Sequence, residues 1–356
     1  MANDLERAIR VLVVDDSAFM RKVISDILNS DKAIRVIDTA KNGLDAVEKA
    51  KELRPDVITL DVEMPVMDGL TCLRELLKGT NVPVLMLSGF TREGADYTIK
   101  ALEDGAVDFI TKPTNIFEMT SDMKKLEVIE KVKVAHNSTR VKRNSINNLH
   151  IKPKNDIVKS REIKKIVAIG TSTGGPKALH DVIPLISGNV PAAFLVVQHM
   201  PPGFTRSLAE RLNSISELTV KEAEEGDVIK PGFVYIAPGD YHMLVERSKG
   251  GEIKIRLSKA PPAGGHRPAV NVMMESLSDT GLTNIIGVIM TGMGSDGSEG
   301  IKKLKNINKG YIIAQDEKSC VVYGMPKVAV QTGAVDAVVT LKGIAREIMK
   351  IVEVHK

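Results

Sequence analysis

The sequence predicts an α/β protein built from two doubly wound domains joined by a linker. Three observations predict it. The 356-residue length suits about two domains. Short apolar runs alternate with helix-period stretches along most of the chain, the pattern of βαβ units on parallel sheets. Several apolar runs also end directly in reactive residues, and ligands of open α/β sheets bind at the carboxyl ends of the strands.

Composition narrows the functional class. An apolar content of 43% is ample for two cores. The net charge of +4 is too small to imply a nucleic-acid partner. With no Trp and 3% aromatic residues, few platforms exist for stacking bases. Cys72 and Cys320 lie far apart and form neither a disulfide framework nor a zinc-ligand spacing. The stretch Met1-Ala2-Asn3-Asp4-Leu5-Glu6 carries acids and no apolar signal region. No run approaches the roughly 18 apolar residues of a membrane span. A soluble, cytoplasmic protein is expected.

In the first 125 residues, strands are expected at 11–14, 57–60, 82–87 and 107–110, with a more exposed strand at 34–40. The first runs into Asp15-Asp16 and the second into Asp61. The third ends at Ser88, and the last leads to Thr111-Lys112-Pro113. On one parallel sheet these residues converge. Carboxylates gathered this way repel unless a hard cation joins them, and Mg²⁺ prefers such oxygen ligands. Lys112 can pair with a phosphoryl group, and Ser88 supplies a hydroxyl. Any single strand-end Asp is also a common helix N-cap; the ordered set is what points to phosphoryl chemistry.

That set resembles the flavodoxin-like receiver domain of two-component response regulators, over roughly residues 8–125. Its markers are Asp15-Asp16, Asp61 within Leu60-Asp61-Val62-Glu63-Met64-Pro65, Ser88, and Lys112-Pro113. The resemblance implies a parallel five-stranded sheet and phosphorylation of Asp61 by a partner histidine kinase. It implies Mg²⁺ held by Asp16 and Asp61, assisted by Asp15 and the Glu63 carbonyl. Ser88, Phe109 and Lys112 match the family's switch positions.

Residues 118–134 read as a helix with Met119, Met123, Leu126 and Ile129 on one face, best explained as a helix capping the receiver. Periodicity then fades through a polar, basic stretch containing Arg140, Lys142 and Arg143. Its composition is that of a solvated linker. The expected division is a receiver over 1–125, a linker over 126–162 and a second domain over 163–356.

In the second domain strands are expected at 166–169, 194–197, 233–237, 253–257, 285–290, 311–314 and 337–339. Helices are expected at 205–213 and 270–280, with hairpin-like strands around 230–257. The run at 166–169 enters Gly170-Thr171-Ser172-Thr173-Gly174-Gly175-Pro176. That places Ser172 between a strand end and a helix start, where backbone N–H groups converge. The stretch also matches G-x-S-x-G, although an anion-binding turn reads equally well. Two further strand ends carry His199 and Asp296. A serine hydroxyl needs an imidazole to take its proton and a carboxylate to hold that imidazole's tautomer. The order Ser-His-Asp differs from that of ordinary α/β-hydrolases, and triads are defined by geometry rather than order. A lone His after a strand is commonly structural, and Asp296 could be a helix N-cap. A competing reading is nucleotide binding. Gly292-Met293-Gly294-Ser295-Asp296-Gly297 matches G-x-G-x-x-G, and Asp316 lies 19 residues beyond it.

The second domain resembles the chemotaxis protein-glutamate methylesterase (CheB) family. The matching stretches begin with Gly170 to Pro176, Gln198-His199-Met200-Pro201-Pro202-Gly203 and Met290 to Gly297. Ala237-Pro238-Gly239, His266-Arg267-Pro268 and Ala314-Gln315-Asp316 complete them. Ser295 stands where members often carry Asn. A receiver joined by a linker to this domain is the family's architecture. The resemblance implies hydrolysis of glutamate methyl esters, and deamidation of some glutamines, on methyl-accepting chemotaxis receptors. It implies Ser172 as nucleophile, His199 as base, Asp296 as its orienter and the backbone N–H groups of Thr173 and Met293 as oxyanion donors, with no metal in this step. It also implies that the unphosphorylated receiver restrains the esterase until Asp61 is phosphorylated. A non-enzymatic adaptor gated by phosphorylation is the remaining alternative.

Overall fold

The computed structural model describes residues 8–112, 121–138, 163–283 and 285–353. Pro113, Met119 and the basic residues Arg140, Lys142 and Arg143 lie outside them. The chain divides near residue 140 into two compact units, and each has its own sheet.

In the first unit the strands β1 (Ile9–Val14), β2 (Ile34–Ala40), β3 (Val57–Asp61), β4 (Val84–Ser88) and β5 (Asp108–Thr111) form a parallel sheet in the order β2-β1-β3-β4-β5. β3, β4 and β5 are buried along their whole length, whereas β2, at the sheet edge, is half-buried between its two ends. Each intervening helix starts on a side-chain cap. Ser17, Asn42, Asp68 and Thr91 accept from N–H groups in the first turns of α1 (Ala18–Asn29), α2 (Gly43–Leu53), α3 (Gly69–Gly79) and α4 (Arg92–Asp104). Each such cap stabilises its helix by about 1 kcal/mol.

The helix Asp122–Asn137 buries Val128, Ile129, Val132 and Ala135 in the core of the first unit. The expected apolar face is therefore rotated. Ile129 faces inward, while Met123 and Leu126 are exposed. About two helical turns packed on the core, Val128 to Ala135, override the stripe that starts nearer the helix N-terminus.

In the second unit seven strands form one sheet, parallel throughout. They are β6 (Lys165–Thr171), β7 (Ala192–Gln198), β8 (Thr219–Glu222), β9 (Phe233–Ile236), β12 (Ile285–Ile289), β13 (Tyr311–Gln315) and β14 (Ala337–Val339). Their order is β14-β13-β12-β6-β7-β9-β8. β8 is absent from the sequence reading. It is a short edge strand whose only fully buried residue is Val220, so it has no apolar run to read. The antiparallel piece is a separate hairpin, β10 (His242–Arg247) with β11 (Ile253–Ser258). Its Met243, Val245 and Ile255 join the core with Val270, Met273 and Leu277 of the helix Val270–Asp279. β6 lies between β7 and β12, where the strand order reverses. The carboxyl ends of these three strands therefore border the crevice in which such sheets bind ligands.

Candidate active site and phosphoacceptor site

In the first unit, Asp15, Asp16 and Asp61 each direct an oxygen into a cluster whose members lie within 4.8 Å of one another. Asp15 and Asp61 are buried and Asp16 is exposed. Lys112 bridges the buried pair, 2.6 Å from Asp15 Oδ2 and 2.7 Å from Asp61 Oδ1. It is held there because its backbone N–H donates to Ser88 O at 2.7 Å, tying the end of β5 to that of β4. Burial pushes the Asp61 carboxyl up to about 6; the Lys112 ammonium opposes the shift and the Asp15 charge adds to it. Burial lowers the proton affinity of Lys112, but the Asp61 and Asp15 charges outweigh it and its pKa rises. The Glu63 N–H donates to the Asp61 carboxylate. An all-oxygen cluster of three carboxylates fits Mg²⁺. Ser88 stands at the end of β4, but its hydroxyl donates to Gly94 O at 3.1 Å, in the first turn of α4. The Phe109 ring is buried, with the Lys131 ammonium 5.1 Å from its centroid.

In the second unit, Thr171 pairs with Gln198 across β6 and β7, so Ser172 and His199 are the next residues on adjacent strand ends. His199 N donates to Thr171 O at 3.2 Å, and Ser172 N donates to Thr291 O at 3.0 Å, just after β12. The three strand ends are thus stitched together around Ser172. Gln198 Nε2 donates to the carbonyls of Ser172 and His199 at 3.0 and 3.2 Å. Glycine at position 175 leaves room for these side chains, since a Cβ there would lie 1.9 Å from Gln198 Oε1 and 2.4 Å from the Thr171 hydroxyl. The Thr291 hydroxyl lies 3.0 Å from Thr173 O. Among the described residues, neither the Thr173 nor the Met293 N–H has a protein acceptor. Such N–H groups can receive the oxyanion of a tetrahedral intermediate.

His199 Nε2 lies 2.8 Å from Asp296 Oδ2, with both side chains nearly buried. A carboxylate at Nε2 holds the ring proton there, so Nδ1 carries the basic lone pair. Nδ1 is buried and has no hydrogen-bond partner among the described residues. Asp296 also accepts from the N–H groups of Val270 at 2.6 Å and Asn271 at 2.9 Å. These open the helix Val270–Asp279, which has no side-chain cap from its own N-cap residue, Ala269. Asn271 returns the favour: its Oδ1 accepts from Gly297 N and Gly300 N, at the start of the helix Ser298–Asn308. Asp296 is therefore an N-cap as well as a histidine partner, and it caps the preceding helix in the chain rather than the one it leads into. Burial opposes its ionisation. The His199 hydrogen bond and charge and the two helix N–H groups prevail, holding the carboxyl below the usual range.

The His266 ring stacks on His199, with centroids 3.8 Å apart and planes 11° from parallel. Burial, then the neighbouring His199, push its pKa down to about 4, against the opposing charge of Asp296. An unfolded histidine titrates near 6.5. Between these values the unfolded chain binds more protons, so stability rises with pH through the window and is lost as pH falls. From pH 7 to 5 the wild type is expected to lose on the order of 1–2 kcal/mol more stability than His266→Phe. Urea unfolding at both pH values measures this, and equal losses would refute it.

The nucleotide reading fails at the same loop. Gly292 O accepts from Gly324 N and Met325 N, and a Cβ on Gly292 would meet the Ser172 Cβ at 2.8 Å. Gly292 is thus packed between protein segments. Asp316 caps a short turn by accepting from Ser319 N at 3.2 Å. Thr291, Asn271 and the His266 stack are the supporting features the sequence reading did not assign. Thr291 and His266 lie in stretches that match the family, but no local pattern signals their contacts, because each residue acts on others distant in the chain.

A family model described as CheB methylesterase matches residues 167–348, and a response regulator receiver domain model matches residues 11–124. A protein-glutamate methylesterase/protein-glutamine glutaminase of Syntrophomonas wolfei is 49% identical over 349 residues, covering 96% of this chain and 99% of its own. A protein of the same name from Pyrococcus abyssi is 48% identical, covering 98% of this chain and 94% of its own. The crystal structure of the Thermotoga maritima CheB methylesterase catalytic domain is 46% identical. It matches 54% of this chain and 98% of its own length with a TM-score of 0.50. With both domain models matched in order and relatives similar over nearly their full length, the chain belongs to the CheB methylesterase family, with an N-terminal receiver domain.

Proposed function

We propose that this protein is a phosphorylation-activated serine hydrolase. Its substrates would be glutamate methyl esters and certain glutamines on methyl-accepting chemotaxis receptors, reached from the cytoplasm. The observation that carries the reading is the His199–Asp296 pair next to Ser172, on three adjacent strand ends. Relatives over the full chain are named for both activities.

By role, Ser172 Oγ attacks the ester carbonyl while His199 Nδ1 takes its proton. The C–O bond to the methoxy group then breaks, and the imidazolium returns the proton to release methanol. Water hydrolyses the acyl-serine by the reverse proton route. With a glutamine, ammonia leaves instead. The Thr173 and Met293 N–H groups hold the oxyanion; one such donor contributes roughly 3–4 kcal/mol to the transition state. Asp296 steadies the imidazolium.

In the receiver, Asp61 is the phosphoacceptor, supplied by a histidine kinase. Asp16 and Asp61, with Asp15 and the Glu63 carbonyl, would hold Mg²⁺, whose charge would offset that of the transferring phosphoryl group. Lys112 pairs with that group's oxygens, and Ser88 and Phe109 respond to it. This charge change biases a two-state element that governs the esterase.

The test is methanol release from methylated receptor membranes, with and without acetyl phosphate. Wild type is expected to be stimulated. Asp61→Asn is expected to keep a low basal rate and lose the stimulation entirely. A full response to the phosphodonor in that variant would refute the switch.

A further inference from the structure

We infer that His266 is a positioning residue for His199: its ring, lying flat on the catalytic imidazole, sets the plane in which Nδ1 meets Ser172. The inference rests on the reading of His199 as the base. A histidine χ2 is broad and roughly two-fold, so the bond from Nε2 to Asp296 fixes one ring atom and leaves the ring free to rock. Rocking swings Nδ1, the atom that has to receive the serine proton. A second flat ring at 3.8 Å, only 11° from parallel, closes one face of His199 and restrains that motion.

The chain is built to hold the second ring there. Ala263 and His266 exchange backbone hydrogen bonds at 3.0 Å in both directions. Gly264 and Gly265 between them have φ of +59° and +84°, the left-handed pair that a tight two-residue hairpin turn needs. Arg267 anchors the next position. Its Nε donates to Asp240 Oδ1 at 3.1 Å, and its NH1 group donates to the carbonyls of Lys259 and Ala260, both at 3.1 Å. The stacked ring is also uncharged at neutral pH, because its pKa lies near 4. An uncharged π face favours the imidazolium formed in catalysis, whereas a second cation at this distance would repel it.

The experiment measures kcat and KM for methanol release by the full chain on methylated receptor membranes with acetyl phosphate and Mg²⁺. The variants are His266→Ala, His266→Leu and His266→Phe, with Ser172→Ala run in parallel. His266→Ala and His266→Leu are expected to lower kcat about 10- to 100-fold, the scale of a misplaced catalytic group, with little change in KM. His266→Phe, which restores a flat uncharged ring, is expected to recover most of the loss. Rescue by leucine equal to that by phenylalanine would overturn the inference, as would an effect confined to KM or wild-type kcat in the alanine variant. Those failures are separate from failure of the underlying mechanism, which appears as activity remaining in Ser172→Ala.

Discussion

Ser172→Ala is expected to lower kcat for methanol release by about 10⁶-fold, the scale on which a serine-hydrolase nucleophile acts. The side chain is half-buried, and its backbone is fixed by Thr291 O on one side and Gln198 Nε2 on the other. Removing one oxygen therefore leaves the loop, the His199–Asp296 pair and the oxyanion donors in place. Phosphorylation of Asp61 should be unchanged, since the groups proposed for it, Asp15, Asp16, Asp61 and Lys112, all belong to the other unit. The measurements are methanol release at saturating receptor and phosphoryl incorporation from labelled acetyl phosphate. Residual turnover above about one thousandth of wild type would remove Ser172 from the role of nucleophile, because the oxyanion donors and binding alone leave only a small fraction of the rate.

The second large effect is expected for Asp296→Asn, a loss of about 10⁴-fold in kcat. The carboxylate accepts three hydrogen bonds, from His199 Nε2, Val270 N and Asn271 N. An amide has one accepting oxygen. If that oxygen takes the Oδ1 place and serves Asn271 N, the amide NH₂ takes the Oδ2 place and faces both His199 Nε2 and Val270 N. The imidazole proton then moves to Nδ1, where it blocks acceptance of the serine proton. The same substitution removes a negative charge from a helix N-terminus, which should cost about 1 kcal/mol of stability. Kinetics and urea unfolding of one variant thus report both duties of Asp296. A kcat within tenfold of wild type would show that His199 does not depend on this carboxylate for its tautomer.

The receiver strands were readable because buried parallel strands are continuous apolar runs, and β2 matches its expected bounds. The seven apolar runs of the second domain all became strands. What was not readable was contact between segments. Ser88 lies at its expected strand end, but its hydroxyl bonds to Gly94 because α4 begins close by. The motif Gly292 to Gly297 fits a nucleotide fingerprint in one dimension. In three dimensions Gly292 O is taken by Gly324 and Met325, and Asp316 is occupied as a cap. The helix after β5 was legible as a helix, yet which of its faces is buried depended on the core it packs against.

The chemistry carried by each strand end follows from residue type and order alone: carboxylates and a lysine in one domain, a serine, a histidine and an aspartate in the other. Those are properties of residue type and of the period at which apolar runs begin and end. How the groups are aimed came from the folded chain. It gave His199 Nε2 to Asp296 and left Nδ1 without a partner among the described residues, made Asp296 and Asn271 cap each other's helices, and laid His266 on the His199 ring. The reason is physical. Hydrogen bonds and ring stacking act over a few ångströms, between residues that here lie 25 to 97 positions apart in the chain, and no local pattern records which of them will meet.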